Sequence, residues 1–219
     1  MFNETVIKML GMGILETLYM TLFSSFIAYL IGLPIGILLV VTDRDGITPN
    51  SKLNKVVGIL VNIVRSVPFI ILLIAIQPAT RAIIGTTIGA SAIVIPLIVS
   101  SAPYIARIVE SSLKEVDKGV IEAAQSMGAN PLQIIFKVLI PEAKPSLIVG
   151  SAIAISTILS YTVMAGFVGG GGLGDIAIRY GYYRNETEIM LVAVVLLIII
   201  LQIIQEFGLS LTKKSDKRL

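Results

Sequence analysis

The chain has 219 residues, of which 55% are apolar and only 14% charged, with a mean hydropathy of +0.92. A soluble domain carries about 25% charged residues, so lipid rather than water is the expected solvent. Cysteine, histidine and tryptophan are absent, which excludes disulfides, thiol chemistry and imidazole catalysis.

Taken in chain order, the first run with almost no charge is Thr17–Thr42. Glu4 and Glu16 flank Lys8 ahead of it, without the basic start of a signal peptide, and the run is too long for one. It is expected to be retained. A loop follows over Thr42–Asn54, marked by Asp45-Gly46 and Thr48-Pro49-Asn50. Val56–Thr80 and Ala82–Ala106 are the second and third runs. Pro145–Gly174 is the fourth, and Ile189–Gln205, continued by Phe207–Leu211 across Glu206, the fifth. Spanning the hydrocarbon takes about 20 apolar residues as helix, so five transmembrane helices are expected in one domain over 1–219. Pro34, Pro68, Pro96 and Pro103 sit inside these runs and predict kinks in a packed bundle.

The net charge of +3 could point to nucleic acid, but its distribution reports topology. With the C-terminus inside, the inner segments hold Arg44, Lys52, Lys55, Arg107, Lys114, Lys118, Lys137, Lys144, Lys213, Lys214, Lys217 and Arg218. Outside lie only Lys8, Arg81, Arg179 and Arg184, with Arg65 inside the second run. This is the Lys/Arg excess of cytoplasmic loops. The expected topology is N-terminus out and C-terminus in, with Lys213–Arg218 against anionic lipid. No nucleic-acid partner is expected.

The longest inner segment, Val109–Lys144, has legible local signals. Asp117 caps a predicted helix running to Met127, with Val120, Ala123, Ala124 and Met127 on one side. Gly128 ends it, and Asn130-Pro131 opens a second short helix. Within this segment Glu122-Ala123-Ala124, then three residues, Gly128, nine residues, Val138, one residue and Ile140-Pro141 resembles the EAA signature of ABC-importer permeases. Val138 and Ile140 depart slightly from the usual Ile and Leu. Asn62–Leu73, with Arg65, Pro68 and Phe69, resembles the second-helix segment of amino-acid importers. Ala102–Arg107 and Gly169–Gly174 are similar to the methionine branch.

The resemblance implies an all-α polytopic permease with a cytoplasmic coupling helix between its third and fourth spans, in a prokaryotic plasma or inner membrane. Glu122, Ala123, Ala124 and Gly128 map onto that helix. It implies as partners a second copy, two cytosolic ABC ATPases that bind ATP and magnesium, and an extracytoplasmic methionine-binding protein. This chain is then expected to hold no cofactor, metal or catalytic residue of its own. It contains no Gly-x-x-x-x-Gly-Lys-Ser/Thr loop, so an energised transporter built on it borrows its ATPase.

In the fourth run Ser156, Thr157, Ser160, Tyr161 and Met164 share one helical face. They are candidates for the translocation path, with Met164 as the candidate gate, although small and hydroxyl residues also join helices in lipid. Gly150 and Ala154 fit the second role better. Arg65, the one charge well inside a run, fits either pairing within the bundle or function. Arg107 and Glu110 read as an intrahelical pair, and Gly169–Gly174 as a flexible turn. Tyr180, Tyr182 and Tyr183 fit interfacial aromatics or part of a binding-protein dock. A polar amino-acid importer is the alternative reading, and a channel or membrane scaffold a more distant one.

Overall fold

The computed structural model describes residues 4–215. Among them every regular element is helical. The longest is α1, Glu4–Val41, whose 38 residues reach about 57 Å at 1.5 Å per residue, well beyond a hydrocarbon core of about 30 Å. Next come α2 (Ser51–Ser66), α3 (Phe69–Ala75) and α4 (Gln77–Ile84). The central span is α5, Ala90–Lys114. On one end of the bundle lie α6 (Lys118–Ser126), α7 (Pro131–Ile134), a π-turn over Ile135–Leu139, and α8 (Ile140–Glu142). The chain crosses again as α9 (Lys144–Ala165), turns through α10 (Gly172–Ile176) and a π-turn over Ala177–Tyr182, and ends in α11 (Thr187–Ser215). The side chains of the basic tail Lys213–Arg218 lie outside the described residues.

Four helices are long and apolar enough to cross a membrane, and the bent pair α2–α3 makes a fifth when counted as one span. The expected five transmembrane helices thus include one that is broken. Pro68 lacks an N–H and disfavours helix at Val67, so α2 stops at Ser66 and α3 leaves at 97° to it. The helices run on through Pro34, Pro96 and Pro103. The first loop is also shorter than predicted: Asn50 accepts a hydrogen bond from the Leu53 N–H at 3.1 Å and starts α2 at Ser51.

The core sits where α1 crosses α5. Ser24, Ala28, Gly32 and Gly36 of α1 are all buried and four residues apart, which makes a ridge of small side chains. At Gly32 and Gly36 an added Cβ would stand 2.6 Å from the backbone oxygens of Ala102 and Ala106. Both positions therefore require glycine for the two backbones to approach this closely. On the other side of α5, buried Gly150 packs its backbone against Ile108, and Ala154 is fully buried. These two residues take the helix-contact role expected of them.

Candidate functional site: the α6 helix and the polar faces of the bundle

The cap expected at Asp117 is present, its carboxylate accepting from the Gly119 N–H at 2.7 Å. At the other end the Gly128 N–H donates to Gln125 O at 2.9 Å and the Ala129 N–H to Ala124 O at 3.1 Å. That pair of bonds closes a helix through a left-handed residue, and Gly128 has φ +79° with nothing within 4 Å of where a Cβ would be. Asn130 and Gln133 then cap each other reciprocally, each bond 2.9 Å. The helix ends at Ser126, one residue before the predicted end.

Of the four residues predicted for one face of α6, only Ala124 is buried. Together with half-buried Ile121 it joins the core continuous with Leu113, Val116, Ile134 and Leu139. Val120, Ala123 and Met127 are exposed, Met127 at 82%, and Glu122 is exposed beside them. The helix thus turns a small apolar stripe and one carboxylate outward from the end of the bundle. Glu122, Ala123, Ala124 and Gly128 are brought together on one nine-residue helix and its terminating turn.

A network behind α6 escaped the sequence reading. The Arg107–Glu110 pair forms, but Arg107 also donates to Gly58 O at 3.2 Å and Asn62 Oδ1 at 2.9 Å on α2. Glu110 meets Lys114 at 3.0 Å, and Lys114 meets Asp43 of the first loop at 2.8 Å. Lys118 at the start of α6 pairs with Asp45 at 3.2 Å. Lys114 beside Asp43, more than the adjacent Arg44 N–H, holds that carboxyl below its usual range.

The stripe on α9 divides. Ser156, Thr157 and Ser160 line a cleft of about 450 Å³ between α9 and α11, with Gln205 and Gly208 on the far wall. Their hydroxyls donate to the backbone oxygens four residues back, at 2.9, 2.9 and 3.1 Å, which leaves oxygen lone pairs toward the cleft. Tyr161 instead stacks on Phe69, centroids 4.5 Å apart. Met164 is 48% exposed nearer the glycines. Gln205 was missed because it closes an apolar run and has no motif around it.

The glycine segment is packed rather than a flexible turn, which corrects that expectation. Glu16 accepts from the Gly172 N–H at 2.6 Å and Thr17 from the Leu173 N–H at 2.9 Å, so α1 caps α10. Gly174 sits so close to Val163 that a Cβ would lie 2.6 Å from its Cα. Buried Asp175 pairs with Arg179 at 2.7 Å. Tyr182 and Tyr183, in edge contact and exposed, and Tyr180 beneath Arg184 cluster just beyond.

Residues 32–207 match the family described as binding-protein-dependent transport system inner membrane component. The chain belongs to this family. Among curated relatives it is 49% identical to the probable D-methionine transport system permease protein MetI of Vibrio cholerae, over 93% of this chain and 90% of that protein. It is 46% identical to the methionine import system permease protein MetP of Bacillus subtilis, over 93% of this chain and 91% of that one. Its fold superposes on a chain of the MetNI methionine ABC transporter in an inward-facing conformation, with a TM-score of 0.97 at 45% identity, covering 99% and 100% of the two chains. A family member of this kind is a membrane permease subunit.

Proposed function

We propose that this chain is the permease of an ATP-driven importer for methionine, working as a homodimer coupled to two cytosolic ATPase subunits. The observation that carries the reading is the agreement of the methionine permeases with this chain over about nine-tenths of its length. It coincides with a helix, α6, whose outward face has no cover among the described residues.

In this reading α6 is the part that the ATPase grips. Val120, Ala123 and Met127 offer an apolar stripe small enough for close approach, and Glu122 supplies a charge-assisted contact at its edge. ATP and magnesium bind in the partner, and an extracytoplasmic binding protein delivers the cargo on the opposite face. The excess of Lys and Arg on the α6 side supports a cytoplasmic α6 and C-terminus with the N-terminus outside. The cleft lined by Ser156, Thr157, Ser160 and Gln205, with Tyr161 and Met164 above it, is the proposed path. Packed bundles switch between discrete arrangements, so a movement of α6 shifts α5 and α9, to which it is joined.

The test is energy-dependent uptake of labelled methionine by cells with and without the gene, competed by unlabelled methionine, glutamine and histidine. Uptake lost with the gene, restored by it and competed by methionine alone supports the reading. Competition by glutamine or histidine would move the assignment to a polar amino-acid importer.

A further inference from the structure

Arg65 lies in the last turn of α2, ten residues past Lys55, or about 15 Å along the helix. That is near the middle of a hydrocarbon core about 30 Å thick. It is exposed, and among the described residues no carboxylate lies within ion-pair distance of it. The chain's own acids are committed or misplaced: Glu110 holds Arg107 and Lys114, Asp175 holds Arg179, and Glu16 caps Gly172. A second copy brings the same acids at the same heights. A cation in this position is functional by default, and none of the described residues supplies its counter-charge.

The surroundings suit one kind of ligand. Phe69, four residues on at the start of α3, stacks on Tyr161 of α9. Tyr104 of α5 stands 3.5 Å from Thr157 Oγ1, hydroxyl to hydroxyl. The broken span, α5 and α9 thus bring together three hydroxyls and an aromatic pair, with Arg65 four residues before Phe69 on the near side of the break. Guanidinium binds carboxylate through a two-bond fork, hydroxyl oxygens accept from an ammonium, and ring edges favour a thioether.

We propose that Arg65, at the 97° break of the second span, takes the α-carboxylate of the amino acid in transit. The inference rests on the importer reading above and adds the group that holds the cargo. The anionic oxygens that Arg65 needs could also be those of a lipid phosphate, and the experiment separates the two.

The full complex of permease, ATPase and binding protein is reconstituted in vesicles of neutral lipid and of anionic lipid, and labelled methionine uptake and ATP hydrolysis are measured together. Arg65→Gln is expected to lower uptake about tenfold or more in both lipids, because charged hydrogen bonds are lost, while hydrolysis stays within about twofold. Arg65→Lys keeps the charge but loses the fork, so it should assemble even where Arg65→Gln does not. Its KM should rise about threefold or more. Unchanged uptake in Arg65→Gln, an unchanged KM in Arg65→Lys, or equal loss of uptake and hydrolysis overturns the proposal. So does a defect that appears only in anionic lipid, which assigns Arg65 to a phosphate. If the wild-type complex carries another amino acid, the methionine reading fails, and Arg65→Gln is scored on that cargo, whose carboxylate is the same. If it carries no amino acid, both readings fall.

Discussion

Adding two methyl groups to the α1–α5 contact, as Gly32→Ala/Gly36→Ala, should loosen the centre of the bundle. At Gly36 the new Cβ would stand 2.6 Å from both Ala106 O and Val109 Cβ, and at Gly32 2.6 Å from Ala102 O, where ordinary contact begins at 3.4 Å. The helices must therefore part locally by about 0.8 Å, a gap that forfeits about a quarter to a half of each dispersion well across it. A backbone carbonyl cannot rotate aside as a side chain would. Overpacking of this kind costs about 1–3 kcal/mol per site, against about 1 kcal/mol gained because alanine favours helix over glycine. The expected net loss for the pair is about 2 kcal/mol, or roughly 4–8 °C in the thermal midpoint for a chain of this size. Circular dichroism of the detergent-solubilised protein reads it directly. Gly11→Ala is the control on the same helix, since nothing lies within 4 Å of its Cβ, and it should be neutral or slightly stabilising. A double variant as stable as Gly11→Ala would refute the close-contact argument.

At Gly128 the cost is purely conformational: Gly128→Ala should lose about 1–2 kcal/mol from the left-handed turn and only part of the uptake. Proline cannot adopt φ +79°, so Gly128→Pro should insert in the membrane yet fail to transport, as should Glu122→Lys; normal uptake by both would exclude a coupling role for α6. Arg107→Lys cannot reach Glu110, Gly58 O and Asn62 together, and should impair transport more than Lys118→Ala. That second substitution removes an ion pair whose side chains are 73% and 81% exposed, the kind usually worth about 0–1 kcal/mol; equal defects would count against the network. For Asp43 the lowered carboxyl pKa makes its pairing stabilising above the ordinary value of 3.8 and lost as pH falls below it. Wild type and Asp43→Asn should therefore differ in thermal midpoint at about pH 6, with the gap shrinking as pH falls below the ordinary 3.8 and through the lowered carboxyl pKa; a gap undiminished in acid would contradict the assignment.

Local signals carried well from sequence to structure, and distant partners did not. Asp117, Gly128 and Asn130-Pro131 act on backbone groups within a few residues, so spacing alone located the start of α6, its end to within one residue, and the start of α7. The apolar runs found the spans because burial in lipid depends on composition. Pro68 was legible as a breaker, yet nothing local distinguishes it from Pro96, which the helix accommodates. Arg107 showed its partner three residues away, but Asn62 lies 45 residues off and Glu16 caps Gly172 across 156. Such pairs follow from how helices pack, and a single chain leaves no periodic trace of them. The glycine segment failed for a related reason: glycine permits flexibility and close packing equally, and only the Cβ distances to Val163 and Thr17 decide between them.

The network also answers how a helix at one end of the bundle could govern a side chain at mid-depth. Chain connectivity ties α6 to α5 and, through α7 and α8, to α9; it does not tie it to α2. The side-chain bonds that run directly from α5 to α2 among those described are those of Arg107, to Gly58 O and Asn62 Oδ1. Asn62 is three residues from Arg65, within one turn of the same helix. On the proposed reading, a shift of α5 imposed by α6 would be handed to α2 by a guanidinium paired with Glu110, and the break at Pro68 would let α2 follow without α3. In an unbroken second span, α2 would have to drag Phe69 and its stack with Tyr161 along with it. The break would let the Arg65 side of the proposed cargo site move while Phe69 stays stacked on Tyr161 of α9, a way to open a binding site without dismantling the bundle.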